Sequence, residues 1–161
     1  MTLSVGDKLP ETTFFVIGGS GPQGKKTNEI FGGKRIVFVG VPGAFTPGCH
    51  RTHLPGFVEN RDAILEKGVD AIAVVAVNDP FVMKAWKEAS GNTGDILFLS
   101  DGNAEFARAS GLELDASKNG LGTRLQRFSM IVDDGKVEVL NTESAAGQIN
   151  DTAAARILEL L

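Results

Sequence analysis

One stretch of the chain gathers its only thiol and both of its imidazoles. It reads VPGAFTPGCHRTHLPGF and holds Cys49, the single cysteine among 161 residues, with His50 and His53 close behind. One cysteine cannot form an internal disulfide, so Cys49 is a buried apolar side chain, a reactive thiol or an intermolecular linker. Glycine, proline, threonine and histidine are typical of a functional loop rather than of an apolar core stripe, which favours the reactive thiol.

The residues before Cys49 offer a way to stabilise its anion. The apolar run 35–41 predicts a buried strand, and Pro47 suits the first turn of a helix. Cys49 is therefore predicted in that first turn, where unpaired backbone N–H groups and the helix dipole favour a thiolate. Pro42 and Pro47 are expected to stiffen the approach, so that the pocket is set before a substrate arrives.

Several kinds of protein use such a thiol, and the local residues leave them open. In a cysteine hydrolase or acyltransferase a histidine takes the thiol proton. His50 lies about 100° round a helix from Cys49, whereas His53 shares its face but is an unusually local partner. In a peroxidase the thiolate attacks a peroxide oxygen, which requires a hydroxyl, a cation and exclusion of water. A non-catalytic interaction protein is the remaining alternative.

Alternating apolar runs predict the elements that position this loop. Strands are predicted over 13–17, 35–41, 71–77, 96–100 and 127–132. Asp79 as N-cap and Pro80 as first residue open the clearest helix, in whose sequence Phe81, Met83 and Trp86 fit a packing face. The order of elements predicts one α/β domain with parallel central strands and an antiparallel edge, where Asp134-Gly135 turns a hairpin.

Composition excludes two classes of partner. The formal charge is −4 at pH 7 and the basic residues are scattered, which argues against a nucleic-acid surface. No apolar run approaches the ~18 residues that span a bilayer, and the first residues do not resemble a signal peptide, so a cytoplasmic location is expected. The stretch GGSGPQGKKTN does not fit a phosphate-binding loop, because Lys26 stands where Ser or Thr would ligate magnesium; a hairpin or loop is predicted there.

The motif from Pro42 to Cys49 reads P-x-x-x-T-x-x-C, which resembles the active-site signature of the peroxiredoxins. The stretches VAVNDPFVMKAW, LSDGNAEFARASGLELD and GLGTRLQRFSMIVDDGKVEVLN extend the similarity to the type II, peroxiredoxin-five-like subfamily over almost the whole chain. The resemblance implies a thioredoxin-like fold, a central mixed sheet flanked by helices, as a single domain over 1–161. It also implies an antioxidant thiol peroxidase that reduces hydrogen peroxide and alkyl hydroperoxides with no bound metal or organic cofactor.

Motif position assigns the roles that the resemblance implies. Cys49 is expected to be the peroxidatic nucleophile, Thr46 to orient the peroxide, and Pro42 to shield the sulfur from water. The cation that stabilises the thiolate and the transition state is expected to be Arg124, in GLGTRLQRF. Arg127, a few residues on, is expected to be a surface residue at the start of a strand.

Further expectations concern the residues beside the nucleophile and the partners. His53 is a candidate supporting residue or a structural, hydrogen-bonded histidine, and Gly48, where relatives often have threonine, is a candidate to loosen the first turn. Because no second cysteine is present, a one-cysteine cycle is expected, with the sulfenic acid reduced by an external thiol such as glutathione, glutaredoxin or thioredoxin. The resemblance also suggests a homodimer, with the Phe81 region near its contact, serving cell redox homeostasis.

Overall fold

A computed structural model describes residues 2–145 and 147–161 of the chain. The strands are β1 (Thr13–Gly18), β2 (Gly21–Lys26), β3 (Arg35–Gly40), β4 (Ala71–Ala76), β5 (Leu97–Ser100), β6 (Glu113–Asp115), β7 (Thr123–Leu125), β8 (Phe128–Asp133) and β9 (Lys136–Thr142). The α-helices are α1 (Thr27–Phe31), α2 (Leu54–Glu59), α3 (Arg61–Leu65), α4 (Pro80–Ala89), α5 (Glu105–Ser110) and α6 (Ala154–Leu160). A π-helical turn, Cys49–His53, precedes α2, and a 3₁₀ turn, Ser117–Asn119, lies between β6 and β7.

Seven of the described strands form one large mixed sheet, in the order β2-β1-β5-β4-β3-β8-β9. β3 pairs in parallel with β4, and β4 with β5, whereas β8 runs antiparallel to β3 and β9 antiparallel to β8. Strands β6 and β7 form a separate two-stranded sheet. The α/β class, the central mixed sheet flanked by helices and the antiparallel edge are thus confirmed.

The central strand β3 is apolar on both faces because both faces are covered. Ile36 and Phe38 pack into one core, which also holds Phe14, whereas Val37 and Val39 pack into the core on the opposite face. Alternate side chains of a strand point to opposite faces, so a strand between two layers of helices needs a continuous apolar run. The sequence RIVFVGV meets this need, and the loop that leads to Cys49 follows it directly.

Cys49 belongs to the second of these cores. It lies among Phe57, Trp86 and the residues of β3 and β4 that face the same side. Trp86 and Met83 pack inward from α4 as predicted, but Phe81 does not, since 61% of it is exposed. Phe81 lies in the first turn of α4. The face of this helix that buries Met83 and Trp86 does not include residue 81.

Two turn predictions are confirmed. The glycine-rich stretch is the β1–β2 hairpin, in which Lys25 and Lys26 lie in a paired strand rather than in a phosphate-binding loop. Asp134 and Gly135 turn the β8–β9 hairpin with φ of 49° and 78°, the left-handed pair that such a tight turn requires. Within the described residues, no helix combines the length and the apolar character needed to cross a bilayer.

Candidate active site

The loop after β3 is held in one shape by its own hydrogen bonds. The Thr46 hydroxyl donates to the Gly43 carbonyl (2.7 Å), and the Ala44 N–H donates to the Asn78 side chain (2.9 Å). Between them Phe45 adopts φ of 64°, which is unusual for a bulky side chain. Such strain persists only where the surroundings impose it, so the loop is preorganised, as the prolines predict.

Cys49 lies in the first turn of the helix that follows this loop, as expected. Helical backbone begins at Pro47, and the His50 N–H donates to the Thr46 carbonyl (2.8 Å). The Cys49 carbonyl accepts from the Leu54 N–H, five residues on, which makes this segment π-helical. Single π turns are frequent at functional sites, and here the turn widens the helix at the thiol. The Cys49 residue is 0% exposed.

Arg127 brings a positive charge to the thiol. Its Nη2 donates to the Cys49 sulfur at 3.4 Å, and its side chain is buried, with the residue 5% exposed. Within the described part of the chain, no carboxylate pairs with it at salt-bridge distance, and its Nε is buried without a hydrogen-bond partner. A buried cation with no carboxylate is costly unless another anion lies nearby, and the Cys49 thiolate is placed to be that anion.

His53 supports Arg127 rather than the thiol. Its Nδ1 lies 3.0 Å from Arg127 Nη1, and its Nε2 lies 2.9 Å from the Thr152 carbonyl. Burial, together with the smaller effect of the Arg127 charge, lowers the pKa of His53 to about 4, against the raising effects of the Thr152 carbonyl and Glu143. The imidazole is therefore neutral at pH 7, with Nδ1 accepting from arginine and Nε2–H donating to the carbonyl.

The expected positions of the two arginines are corrected by the structure. Arg124 donates to the Leu121 and Val77 carbonyls (2.8 and 3.0 Å), not to the sulfur, while the supposedly exposed Arg127 is the buried arginine at the thiol. The reason is strand register: Phe128 pairs with Gly40, so Arg127 emerges beside the end of β3, where the thiol loop begins. Because this register is a long-range pairing, the sequence itself carries no signal that singles out Arg127.

Arg124 borders the same loop at Gly43. A Cβ on Gly43 would lie 3.5 Å from Arg124 Nη1 and 3.0 Å from the Thr46 methyl group. Arg124 also donates to the Val77 carbonyl, one residue past the end of β4. Pro42 and Thr46 are both half-buried in this loop, and their expected roles in shielding the sulfur and orienting the peroxide stay predictions.

Gly48 and His50 flank the thiol without contributing to the Arg127 contact. Gly48 has ordinary helical φ and ψ of −66° and −41°, so its size matters more than its conformational freedom. A Cβ there would lie 3.2 Å from Arg127 Nη2 and 3.4 Å from Ile149. His50 accepts a hydrogen bond at Nδ1 from the Trp86 indole at 2.9 Å.

Comparisons with known proteins identify the family of this chain. The family model described as Redoxin matches residues 4–158. Rice (Oryza sativa subsp. japonica) chloroplastic peroxiredoxin-2E-2 is 46% identical over 99% of this chain and 73% of its own length. Arabidopsis thaliana peroxiredoxin-2B is 41% identical over 99% of this chain and 98% of its own. The crystal structure of reduced Prx3 from Vibrio vulnificus in complex with hydrogen peroxide superposes with a TM-score of 0.93, at 43% identity and 99% coverage of both chains.

The chain therefore belongs to the Redoxin family and is a peroxiredoxin, an oxidoreductase of the thiol peroxidase class. The resemblance drawn from the P-x-x-x-T-x-x-C motif and the thioredoxin-like fold are both confirmed. A cytoplasmic location stays a prediction, since some relatives are named as chloroplastic. Among the described residues, no group of three or more His, Cys, Asp or Glu side chains is placed to hold a metal ion.

Proposed function

We propose that this peroxiredoxin reduces hydrogen peroxide and alkyl hydroperoxides in a one-cysteine cycle at Cys49. The observation that carries the proposal is the buried Arg127 guanidinium, which donates to the Cys49 sulfur at 3.4 Å and has no carboxylate partner among the described residues. An uncompensated cation at this distance favours the thiolate, the nucleophilic form of cysteine. The same charge also stabilises negative charge that develops on a peroxide under attack.

The proposed cycle balances with the groups at hand and an external thiol. The Cys49 thiolate attacks one oxygen of ROOH, the O–O bond breaks, and RO⁻ leaves and takes a proton to become ROH, while Cys49 becomes a sulfenic acid. An external thiol then attacks the sulfenic sulfur, releasing water and leaving a mixed disulfide. A second thiol attacks that disulfide, which regenerates the Cys49 thiolate and releases the oxidised reductant.

Neither histidine is placed for hydrolase chemistry. His53 uses both ring nitrogens, one toward Arg127 and one toward the Thr152 carbonyl, and the pKa of about 4 makes it a weak base. His50 uses Nδ1 to accept from Trp86. A general base must lie within hydrogen-bond reach of the proton it removes, and the nitrogens that pair in these two imidazoles do so with groups other than the sulfur. These contacts favour the peroxidase over the cysteine hydrolase.

The thiol is closed in the described conformation, and this closure shapes the cycle. Cys49 is 0% exposed, so a peroxide or an attacking thiol reaches the sulfur only when the first helical turn or the loop over it moves. Pro42 and Thr46, in that loop, are proposed to exclude water and to orient the peroxide. The hydroxyl of Thr46 already donates to the Gly43 carbonyl, which leaves its oxygen lone pairs for a peroxide O–H.

The experiment that tests the proposed function follows the thiol directly. Reduced protein is mixed with hydrogen peroxide in a stopped-flow instrument, quenched, and assayed for free thiol and for the dimedone adduct of sulfenic acid. We expect consumption of the thiol many times faster than that of free cysteine, with an adduct at Cys49. The Cys49→Ser variant is the control and should form none. A rate equal to that of free cysteine would overturn the proposal.

The reductant is proposed to be an external thiol, because the sequence holds only one cysteine. Glutathione, glutathione with glutaredoxin, and thioredoxin with its reductase are tested side by side, with peroxide consumption as the measurement. We expect at least one of these to support repeated turnover. Stoichiometric consumption of peroxide with every reductant would contradict the one-cysteine cycle but not the oxidation of Cys49.

The proposed homodimer is supported by exposed apolar side chains around the site. Phe45, Phe81 and Leu121 are 48%, 61% and 36% exposed. The segments that carry them are linked, since Asn78 accepts from the Ala44 N–H beside Phe45, and Arg124 donates to both the Leu121 and the Val77 carbonyl. Sedimentation velocity of Phe81→Asp should show a monomer, whereas Val5→Asp, equally exposed elsewhere, should keep the wild-type mass. A dimeric Phe81→Asp would contradict this interface.

A further inference from the structure

A line of hydrogen bonds leads from the thiol to the far side of the site and ends at Glu143. Cys49 accepts from Arg127, Arg127 meets His53, and His53 meets the Thr152 carbonyl, with N···S, N···N and N···O separations of 3.4, 3.0 and 2.9 Å. The Thr152 hydroxyl and N–H then donate to Glu143 Oε2 at 2.6 and 2.8 Å. We refer to these five residues as the relay.

The donors along the relay are fixed by chemistry. An arginine can only donate, so His53 must accept at Nδ1, and it therefore carries its proton at Nε2. That proton needs an acceptor, and the Thr152 carbonyl supplies it. If His53 were doubly protonated, its Nδ1 could no longer accept from Arg127, and a second positive charge would lie against the guanidinium. The position of Thr152 thus determines whether His53 can hold the guanidinium.

Glu143 determines the position of Thr152. Its Oε2 accepts from the Asn150 N–H (2.9 Å) as well as from both donors of Thr152, which is 0% exposed. Burial alone would raise the pKa of Glu143, but the hydrogen bonds from Thr152, Asn150 and Asp151 together lower it. The carboxylate is therefore ionised at neutral pH, and it fastens residues 150–152 beside His53.

We propose that Glu143 is a positioning residue for the peroxidase reaction, which by holding Thr152 orients His53 and so keeps the Arg127 guanidinium against the Cys49 sulfur. This proposal rests on the proposed function of Cys49. Glu143 contacts Asn150 and Thr152 rather than the thiol, so it acts through the residues between. Nothing in the peroxiredoxin motif points to Glu143. Its partner Thr152 lies 9 residues away in sequence, and His53, which it reaches through Thr152, lies about 90 residues away.

The first test is Glu143→Gln, which keeps the shape of the side chain and removes its charge. Glu138→Gln is the matched control, since Glu138 is an ion-paired carboxylate of β9 whose partner, Arg35, lies outside the relay. We expect Glu143→Gln to slow oxidation of Cys49 by hydrogen peroxide about three- to tenfold and to shift the pH midpoint of Cys49 alkylation upward. Glu138→Gln should leave both measurements unchanged. Wild-type values for Glu143→Gln would overturn the proposal.

A double-mutant cycle separates positioning from general loss of structure. His53→Leu breaks the relay at its middle, so Glu143→Gln should have no further effect on the oxidation rate in that background. Two effects that multiply would mean that Glu143 acts by another route, and the proposal would be wrong. If Glu143→Gln does not fold, Thr152→Val replaces it, with Thr152→Ser, which retains the hydroxyl, expected to restore the wild-type rate.

The alkylation measurement keeps this proposal separate from the proposed function. It reads the state of the thiol with iodoacetamide and involves no peroxide. If wild-type Cys49 reacts with peroxide no faster than free cysteine, the peroxidase proposal fails. A shifted alkylation midpoint in Glu143→Gln would still show that the relay acts on the sulfur, whereas an unshifted midpoint would count against the relay alone.

Discussion

Two arginines three residues apart lie near the thiol loop, and they differ in the partners of their guanidinium groups. Arg124 lies in β7, is half-buried, and donates to two backbone carbonyls. Arg127 lies between β7 and β8, is buried, and donates to a histidine nitrogen and a sulfur. Carbonyl oxygens satisfy hydrogen-bond donors of Arg124, so it gains less from a nearby anion than Arg127, whose buried Nε has no partner. A guanidinium without an oxygen partner, by contrast, favours the thiolate.

The largest expected difference between the two arginines is in the rate of peroxide attack. Arg127→Met should slow oxidation of Cys49 by about 10²–10³-fold, the usual cost of removing a donor that stabilises developing charge. Arg124→Met should cost less than about tenfold, since only the loop would loosen. Single-turnover stopped-flow oxidation with hydrogen peroxide measures both variants. Equal losses, or a larger loss at Arg124, would break the comparison.

The second expected effect is a loss of stability in acid through His53, which contacts Arg127 and not Arg124. Its pKa is lowered from 6.5 to about 4 by burial, so below pH 6.5 the unfolded chain binds a proton that the folded chain does not. The stability this histidine contributes is complete above pH 6.5, and about 3 kcal/mol of it is lost as the pH falls to 4.

Urea unfolding at pH 7, 5.5 and 4 checks this histidine effect. The free energy of unfolding of the wild type should fall more steeply with acid than that of His53→Leu, and the difference between the two should grow toward pH 4. Parallel curves for the two proteins would show that His53 does not carry the linkage.

A smaller difference between the two arginines is expected in stability at neutral pH, where Arg124, not Arg127, is the residue whose replacement lowers the free energy of unfolding. Arg124→Met should lower the free energy of unfolding by about 1–2 kcal/mol, because it leaves the Val77 and Leu121 carbonyls without a donor. Arg127→Met should leave it unchanged or raise it, because a buried charge without a carboxylate is replaced by an apolar side chain. Urea unfolding at pH 7 compares them. A stability loss at Arg127 as large as that at Arg124 would contradict this account.

The smallest expected effect comes from filling the space beside Arg127. Gly48→Ala places a Cβ 3.2 Å from Nη2, so the guanidinium must shift by a few tenths of an ångström. We expect a two- to fivefold slower oxidation with no loss of stability, since position 48 is already helical and alanine favours helix. Gly56→Ala is the control in α2, where the new Cβ would meet Ala154 at an ordinary 3.9 Å. Equal rates for both variants would remove any role for the size of residue 48.

Local sequence was sufficient to predict how the nucleophile is presented. A buried strand, a proline-stiffened loop and Pro47 placed Cys49 in a first helical turn, and each of these depends on neighbours in the chain. The π-helical turn was not predictable, because it depends on which carbonyl Leu54 reaches after folding. The family motif supplied the peroxidase class, which the comparisons then confirmed.

The partners of the thiol could not be read from local sequence. Both arginines of GLGTRLQRF precede an apolar run, and which one faces Cys49 depends on the chain leaving one sheet and entering another at Gln126. Glu143 and Thr152 lie close together in sequence, but both are far from His53 in the chain. The packing of α6 against α2, the helix that follows Cys49, brings Thr152 to His53. Long-range register decides such contacts, and local propensity carries no information about it.

The hydrogen bond from the Trp86 indole to His50 gives the protein an internal optical probe. Trp86 is the only tryptophan, and the chain has no tyrosine, so its ultraviolet emission comes from one buried ring. That ring is bonded to the residue next to the nucleophile and lies edge-on to Phe98, at a centroid distance of 5.5 Å. We expect a movement of the first helical turn to change this hydrogen bond, and the emission of Trp86 to report that movement without a label.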